Sequence, residues 1–199
     1  MLRIGITGGI GSGKSTVCKL LELQGIPVFY ADAEAKNAMV SDNLLIAQLK
    51  TAFGDDIYNP DLSLNRSKLA EVVFNDDAKL KQLNSIVHPA VFRLFDLWVE
   101  NQSSVYVVKE AALLFESHSY KDCDFKILVK SSEELKIKRV MQRDFITREN
   151  VYKRMKKQLS DDEKEKLSDF IINNNEQELL IPQVMNLHLE VLRRASQFL

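Results

Sequence analysis

The segment Leu2-Arg-Ile-Gly-Ile-Thr-Gly-Gly-Ile-Gly-Ser-Gly-Lys-Ser15 decides how the chain is read. Its first half, Leu2–Thr7, is a short apolar run that passes straight into glycines. That predicts a buried strand of a parallel sheet rather than one face of a hairpin. Its second half, Gly8–Ser15, fits G-x-x-x-x-G-K-[ST], the pattern of a phosphate-binding loop. Glycines let the backbone wrap an anion with its N–H groups turned inward, and the following helix offers its positive end to the same anion. The pattern assigns Gly8, Gly9, Ile10, Gly11, Ser12, Gly13, Lys14 and Ser15 to the phosphates of a nucleoside triphosphate. Lys14 would reach the β- and γ-phosphates, and the Ser15 hydroxyl would ligate Mg²⁺.

From Lys14 onward the period becomes helical, with Val17, Leu20 and Leu21 on one face, and Gly25 and Pro27 close the helix. Ile26–Tyr30 reads as a second strand, so an α/β fold with a parallel sheet begins here. Residues 33 to 101 read as almost wholly helical, with breaks at Ser41-Asp42, Gly54–Asn65 and Pro89. Pro89 is placed to open a new helix at its first position. A helical insertion of this length exceeds what a crossover needs and is the candidate substrate-binding subdomain. Val105–Lys109, Lys126–Lys130 and Phe170–Ile172 are further strands. Ser131-Ser132 predicts the cap of a helix through Arg143, Thr147 that of a helix through Leu159, and Pro182 starts or kinks the last helix.

The chain has 199 residues and a formal net charge of −1, so one domain with an inserted subdomain is expected. The absence of a basic excess argues against nucleic acid as the main partner. No apolar run approaches the length needed to cross a bilayer, and Leu2–Thr7 already reads as structure. A cytoplasmic protein with no membrane partner is therefore expected. The two cysteines, Cys18 and Cys123, read as reduced and non-catalytic.

Asp32 follows directly on the second strand, where side chains in parallel sheets face the ligand crevice. It could orient or deprotonate an attacking hydroxyl, or serve as the N-cap of a helix over 33–40, and the two roles can coexist. Arg139 and Arg143 lie i, i+4 on one helical face before a turn, an arrangement suited to a lid that stabilises a transferring phosphoryl group. Most of the lysines between Lys136 and Lys157 read as a solvated face. Glu110 and Glu116 flank an apolar run, and only these end carboxylates are functional candidates. No Asn-Lys-x-Asp segment follows, so a regulatory GTPase is disfavoured.

Taken together these segments resemble the dephospho-CoA kinase family of P-loop kinases over nearly the whole chain. Ile6–Thr16, Tyr30-Ala-Asp32, Asn65-Arg66, Leu69, Val73-Phe74, Leu83-Asn84 and His88-Pro89 carry the resemblance. So do Ala112-Leu-Leu-Phe-Glu116, Arg139–Asp144, Thr147-Arg-Glu149, Gln158, Asp169 and Ile172-Asn-Asn174. The chain departs from the family at Ala112, where proline is frequent.

The resemblance implies a five-stranded parallel sheet flanked by helices, with a helical substrate-binding insertion and a helical lid. The core would span about 1–32, 102–131 and 160–199, the insertion about 33–101 and the lid about 132–159. It implies ATP-dependent phosphorylation of the ribose 3′-hydroxyl of dephospho-CoA, with ATP and dephospho-CoA as small-molecule partners and Mg²⁺ as cofactor. Lys14, Asp32, Arg139 and Arg143 become catalytic candidates. Asp32, Arg66, His88 and Glu110 become acceptor-site residues, and Asn174 lies on the adenine side within one position, among 173–175. A monomer is the working expectation, with oligomers left open. The alternatives are a P-loop kinase for another small hydroxylated acceptor and an ATP-dependent switch protein.

Overall fold

The computed structural model describes residues 1–74 and 76–197; the predicted insertion and the predicted C-terminal core segment each extend partly outside them. The chain divides into two compact units, Met1–Tyr30 with Gln102–Leu199, and Ala31–Asn101.

In the first unit β1 (Leu2–Thr7) leads through the glycine loop into α1 (Lys14–Glu22), and β2 (Val28–Tyr30) follows. After the second unit, described below, come β3 (Tyr106–Glu110) and β4 (Phe125–Lys130). The expected strands are all present, with β2 shorter than predicted and β3 shifted by one residue. The five strands, the last being Phe170–Asn173, are parallel in the order β2-β3-β1-β4 and then that last strand. Ile6 pairs with Glu110 on one side and Ile127 on the other, so β1 is central and its glycine loop leaves from the middle of the carboxyl edge. Ile4, Ile6, Val108, Ile127 and Val129 bury one sheet face against Val17, Cys18 and Leu21 of α1. Burying a side chain of this kind contributes about 1.5–3 kcal/mol, so the strand from which the phosphate loop springs is firmly fixed.

The second unit contains α2 (Ala31–Ser41), α3 (Asn43–Phe53), α4 (Arg66–Phe74) and α5 (Asp77–Glu100). Two corrections arise here. The helix α2 begins at Ala31, straight out of β2, so Asp32 lies within its first turn and is not its N-cap. Pro89 opens no helix but sits inside the 24-residue α5, which starts after the Asp76 cap. An interior proline costs about 3 kcal/mol and leaves the Ser85 carbonyl without its usual donor. The helix persists because Val87, Ala90, Val91, Phe95 and Val99 bury one continuous face.

Returning to the first unit, α6 (Glu133–Asp144) and α7 (Arg148–Met155) form a helical pair with its own small core of Ile137, Val140 and Val151. Ser132 occupies the N-cap of α6, yet its side chain makes no capping bond; its own N–H donates to Asn175 Oδ1 at 2.7 Å. The helix capped by Thr147 ends at Met155, not Leu159, because Ser160 and Glu163 form a capping box that starts α8 (Asp161–Lys166). The last strand, β5 (Phe170–Asn173), and α9 (Leu180–Ala195) complete the unit, with Pro182 in the first turn of α9.

Candidate active site

The loop between β1 and α1 has the shape its sequence predicts. Gly13 is the N-cap of α1 at φ +95°, and a Cβ there would lie 2.1 Å from Asn174 Nδ2. Gly11, at φ +80°, would drive a Cβ to 2.5 Å from the Lys136 carbonyl. Only glycine tolerates such conformations and approaches. Among the described residues, the N–H groups of Gly9, Gly11 and Gly13 have no acceptor, and the first turn of α1 contains no acidic side chain. A helix end in that state is a ready anion site. Ser12 Oγ is buried and has no partner among the described residues. The Ser15 and Thr16 side chains are exposed at the start of α1.

Lys14 is 8% exposed. Its ammonium donates to the carbonyls of Gly8 at 3.0 Å and Gly9 at 3.4 Å, and lies 4.0 Å from Glu110 Oε1 at the carboxyl end of β3. The sequence places Glu110 at the end of an apolar run as a functional candidate, and by the resemblance in the acceptor site; that it faces the loop lysine is not among those expectations. The available signal was its place as the last residue of a strand beside β1. A desolvated pair at this distance is weak evidence for stability, so its significance is that a cation and a carboxylate are held ready beside the loop. Burial, followed in weight by the charge of Glu110, pushes the Cys18 thiol well above its usual range, which fits its reading as inert.

Arg139 and Arg143 part company. Arg139 donates to Gly11 O at 3.5 Å, Ser131 Oγ at 3.1 Å, Asn174 O at 3.1 Å and Glu176 Oε1 at 3.0 Å. It ties α6 to the glycine loop and to the segment after β5. Arg143 turns to its neighbour, with Asp144 Oδ1 at 2.7 Å and Oδ2 at 3.2 Å, and Arg154 reaches the same carboxylate at 2.7 Å. Arg143 first, and Arg154 after it, holds the Asp144 carboxyl below its ordinary range.

Of the three asparagines, Asn174 is the one whose side chain meets the loop, donating from Nδ2 to Ser12 O at 2.8 Å. The Asn173 backbone instead exchanges hydrogen bonds with the Gln183 amide, and Asn175 Oδ1 accepts from Ser132 N–H. In the second unit, Asp32 is exposed in the first turn of α2, and Arg66 is exposed as the first residue of α4. His88 is half-buried on α5 with its ring stacked on Phe92 at 6.3 Å, and burial pushes its pKa down. Among the described residues, no hydrogen bond or ion pair joins Asp32, Arg66 and His88 to one another. Among the described residues, no group of three or more His, Cys, Asp or Glu could hold a metal by itself.

Comparison with known proteins bears on this geometry. A family model described as dephospho-CoA kinase matches residues 2–179. The dephospho-CoA kinase of Chlorobium chlorochromatii is 38% identical over 202 residues, covering 98% of this chain and 95% of that protein. The crystal structure of TT1252 from Thermus thermophilus superposes with a TM-score of 0.84 at 34% identity, covering 95% of this chain and 96% of that one. The dephospho-CoA kinase from Campylobacter jejuni gives a TM-score of 0.66 at 26% identity, with the same coverage of 95% and 96%.

Proposed function

The chain belongs to the dephospho-CoA kinase family, whose reaction is the ATP-dependent phosphorylation of dephospho-CoA that completes coenzyme A biosynthesis, and we propose how its residues divide that work. The observation that carries the reading is the glycine loop, whose N–H groups at Gly9, Gly11 and Gly13 have no acceptor among the described residues and on whose rim the Lys14 ammonium rests.

The triphosphate binds along Gly8–Thr16, and Lys14 exchanges the carbonyls of Gly8 and Gly9 for β- and γ-phosphate oxygens. Glu110, 4.0 Å away, helps keep that ammonium aimed. Mg²⁺ would take one or two protein ligands and complete its shell with phosphates and water. Ser15 supplies the protein ligand, and the metal, when bound, neutralises charge on the phosphates. The unpaired Ser12 Oγ fits a loop completed by ligand oxygens.

Asp32 orients the ribose 3′-hydroxyl for in-line attack and takes its proton, with Arg66 and His88 binding the acceptor. Asn174 and Arg139 border the adenine side, and Arg143 leaves Asp144 for the transferring group. Positioning and charge stabilisation supply most of the acceleration, and a closed lid excludes water as a competing acceptor. No helix among the described residues is long and apolar enough to cross a membrane, and we place the enzyme in the cytoplasm as a monomer.

Purified protein with ATP and Mg²⁺ should release ADP only when dephospho-CoA is added. Stimulation by AMP, CMP or gluconate instead would point to another acceptor class. ADP release indifferent to every acceptor would point to a switch protein. Asp32→Asn should keep ATP affinity and lower kcat by about 10²-fold or more. Near-normal turnover would reduce Asp32 to a helix-dipole partner.

A further inference from the structure

The chain between α7 and α8 is pinned to both loops that leave the centre of the sheet. Gln158 Oε1 accepts the N–H of Ile10 at 2.9 Å, across 148 residues of sequence. Leu159 N–H donates to Glu116 Oε1 at 2.8 Å. The Lys164 ammonium, fully buried, lies 3.1 Å from the same oxygen and 3.2 Å from the Ala112 carbonyl. A second buried pair, Lys136 with Asp161 at 2.6 Å, stands behind Gly9, within 3.3 Å of where a Cβ on that residue would be. The Ile10 side chain packs against the small core of α6 and α7.

Ile10 therefore differs from its neighbours in the loop. The N–H groups of Gly9, Gly11 and Gly13 have no acceptor among the described residues, whereas that of Ile10 is taken by a side chain from outside the loop. Gly8–Ile10 is also the limb on which the Lys14 ammonium rests, and that ammonium serves the β- and γ-phosphates. The opposite limb, Gly13–Ser15, opens the helix. The Gln158 contact thus acts at the γ-phosphate end of the loop.

We propose that Gln158 is a positioning residue for phosphoryl transfer: its side-chain carbonyl fixes the Ile10 peptide and so sets the γ-phosphate limb of the loop. The anchors at Glu116, Ala112 and Lys164 hold the segment that carries it. Among the described residues Gln158 Nε2 has no acceptor, so the contact works through Oε1 alone. The proposal rests on Gly8–Thr16 being the ATP site. A role confined to packing α7 would lower thermal stability and weaken all nucleotides alike.

The two roles separate by comparing ligands with and without a γ-phosphate. Gln158→Met removes the acceptor at nearly constant length, and Gln158→Asn keeps the amide but draws it out of reach at a half-exposed position. Affinities for ADP and for adenylyl imidodiphosphate, both with Mg²⁺, are measured by calorimetry, with kcat alongside. In either variant the triphosphate analogue should bind about fivefold to tenfold more weakly and kcat should fall at least as far, the effect of one lost hydrogen bond. ADP affinity should stay within about twofold. Equal weakening of both ligands, or no change in either, would overturn the proposal. Failure of the unaltered protein to bind ADP would instead overturn the assignment of the ATP site.

Discussion

Gly13→Ala tests how tightly the phosphate loop is built against the segment after β5. At φ +95° an alanine lies beyond the ordinary left-handed well, so its backbone strain falls at about 2 kcal/mol, the upper end of the usual range. Its Cβ would also stand 2.1 Å from Asn174 Nδ2, a distance no real contact reaches. The amide must swing away and give up its bond to Ser12 O, now 2.8 Å long, at a further cost of about 1 kcal/mol. The single variant should therefore lose about 3 kcal/mol and Asn174→Ala about 1 kcal/mol. In the double variant the amide is already gone and only the strain remains to be added. Urea unfolding of the four proteins without nucleotide should then show a double-variant loss about 1 kcal/mol smaller than the sum of the singles. Strict additivity would mean that the alanine methyl and the Asn174 amide never compete for space. A Gly13→Ala protein as stable as the original would refute the loop geometry itself.

Arg143→Ala should lower kcat on the order of 10³-fold while leaving the melting temperature unchanged, because its partner Asp144 keeps Arg154. Arg139→Ala should lower both, since four acceptors lose one donor; scanning calorimetry beside steady-state kinetics decides, and a stable Arg139→Ala protein would contradict the contacts described. Burial of His88 places its folded pKa below the unfolded value of about 6.5, so the unfolded chain binds more protons in that interval. Its contribution to stability is present above about pH 6.5 and is lost as pH falls below that value toward the lower folded pKa, and His88→Gln should remove this slope between pH 7.5 and 5.5 in urea titrations. An unchanged slope would mean that the imidazole is solvated.

The legible parts of the molecule are those whose signals are local. Leu2–Thr7 and Gly8–Ser15 fixed a strand, a loop and a helix because glycine spacing and apolar runs act within a few residues. Pro89 was misread by the same local logic. A proline is a strong breaker on its own, but five buried side chains on one face of α5 outweigh it, and that burial is tertiary. The start of α8 was legible and passed over, since Ser160-x-x-Glu163 is a capping box in plain sequence. Glu110 beside Lys14 was legible only in part, from its place at the end of a strand, and Gln158 on Ile10 was not legible at all. Both depend on which strands and helices become neighbours, which no periodicity within either segment encodes.

Arg139 and Arg143 show the same limit in the site itself. Spacing of i, i+4 gave them a common face and so a common role, yet their partners differ in kind. Arg139 spends its donors on three carbonyl or hydroxyl oxygens and a carboxylate, and a guanidinium committed to that many acceptors leaves only at the cost of all of them. Arg143 is 62% exposed and holds a single neighbouring carboxylate. An exposed pair of that type is worth about 0–1 kcal/mol, which the charge-assisted bonds offered by a triphosphate exceed. Asp144 can therefore keep Arg143 oriented without withholding it, and Arg154 remains to pair with the carboxylate afterwards. On these terms one arginine fixes α6 to the loop, and the other is the one able to turn to the phosphates proposed to bind there.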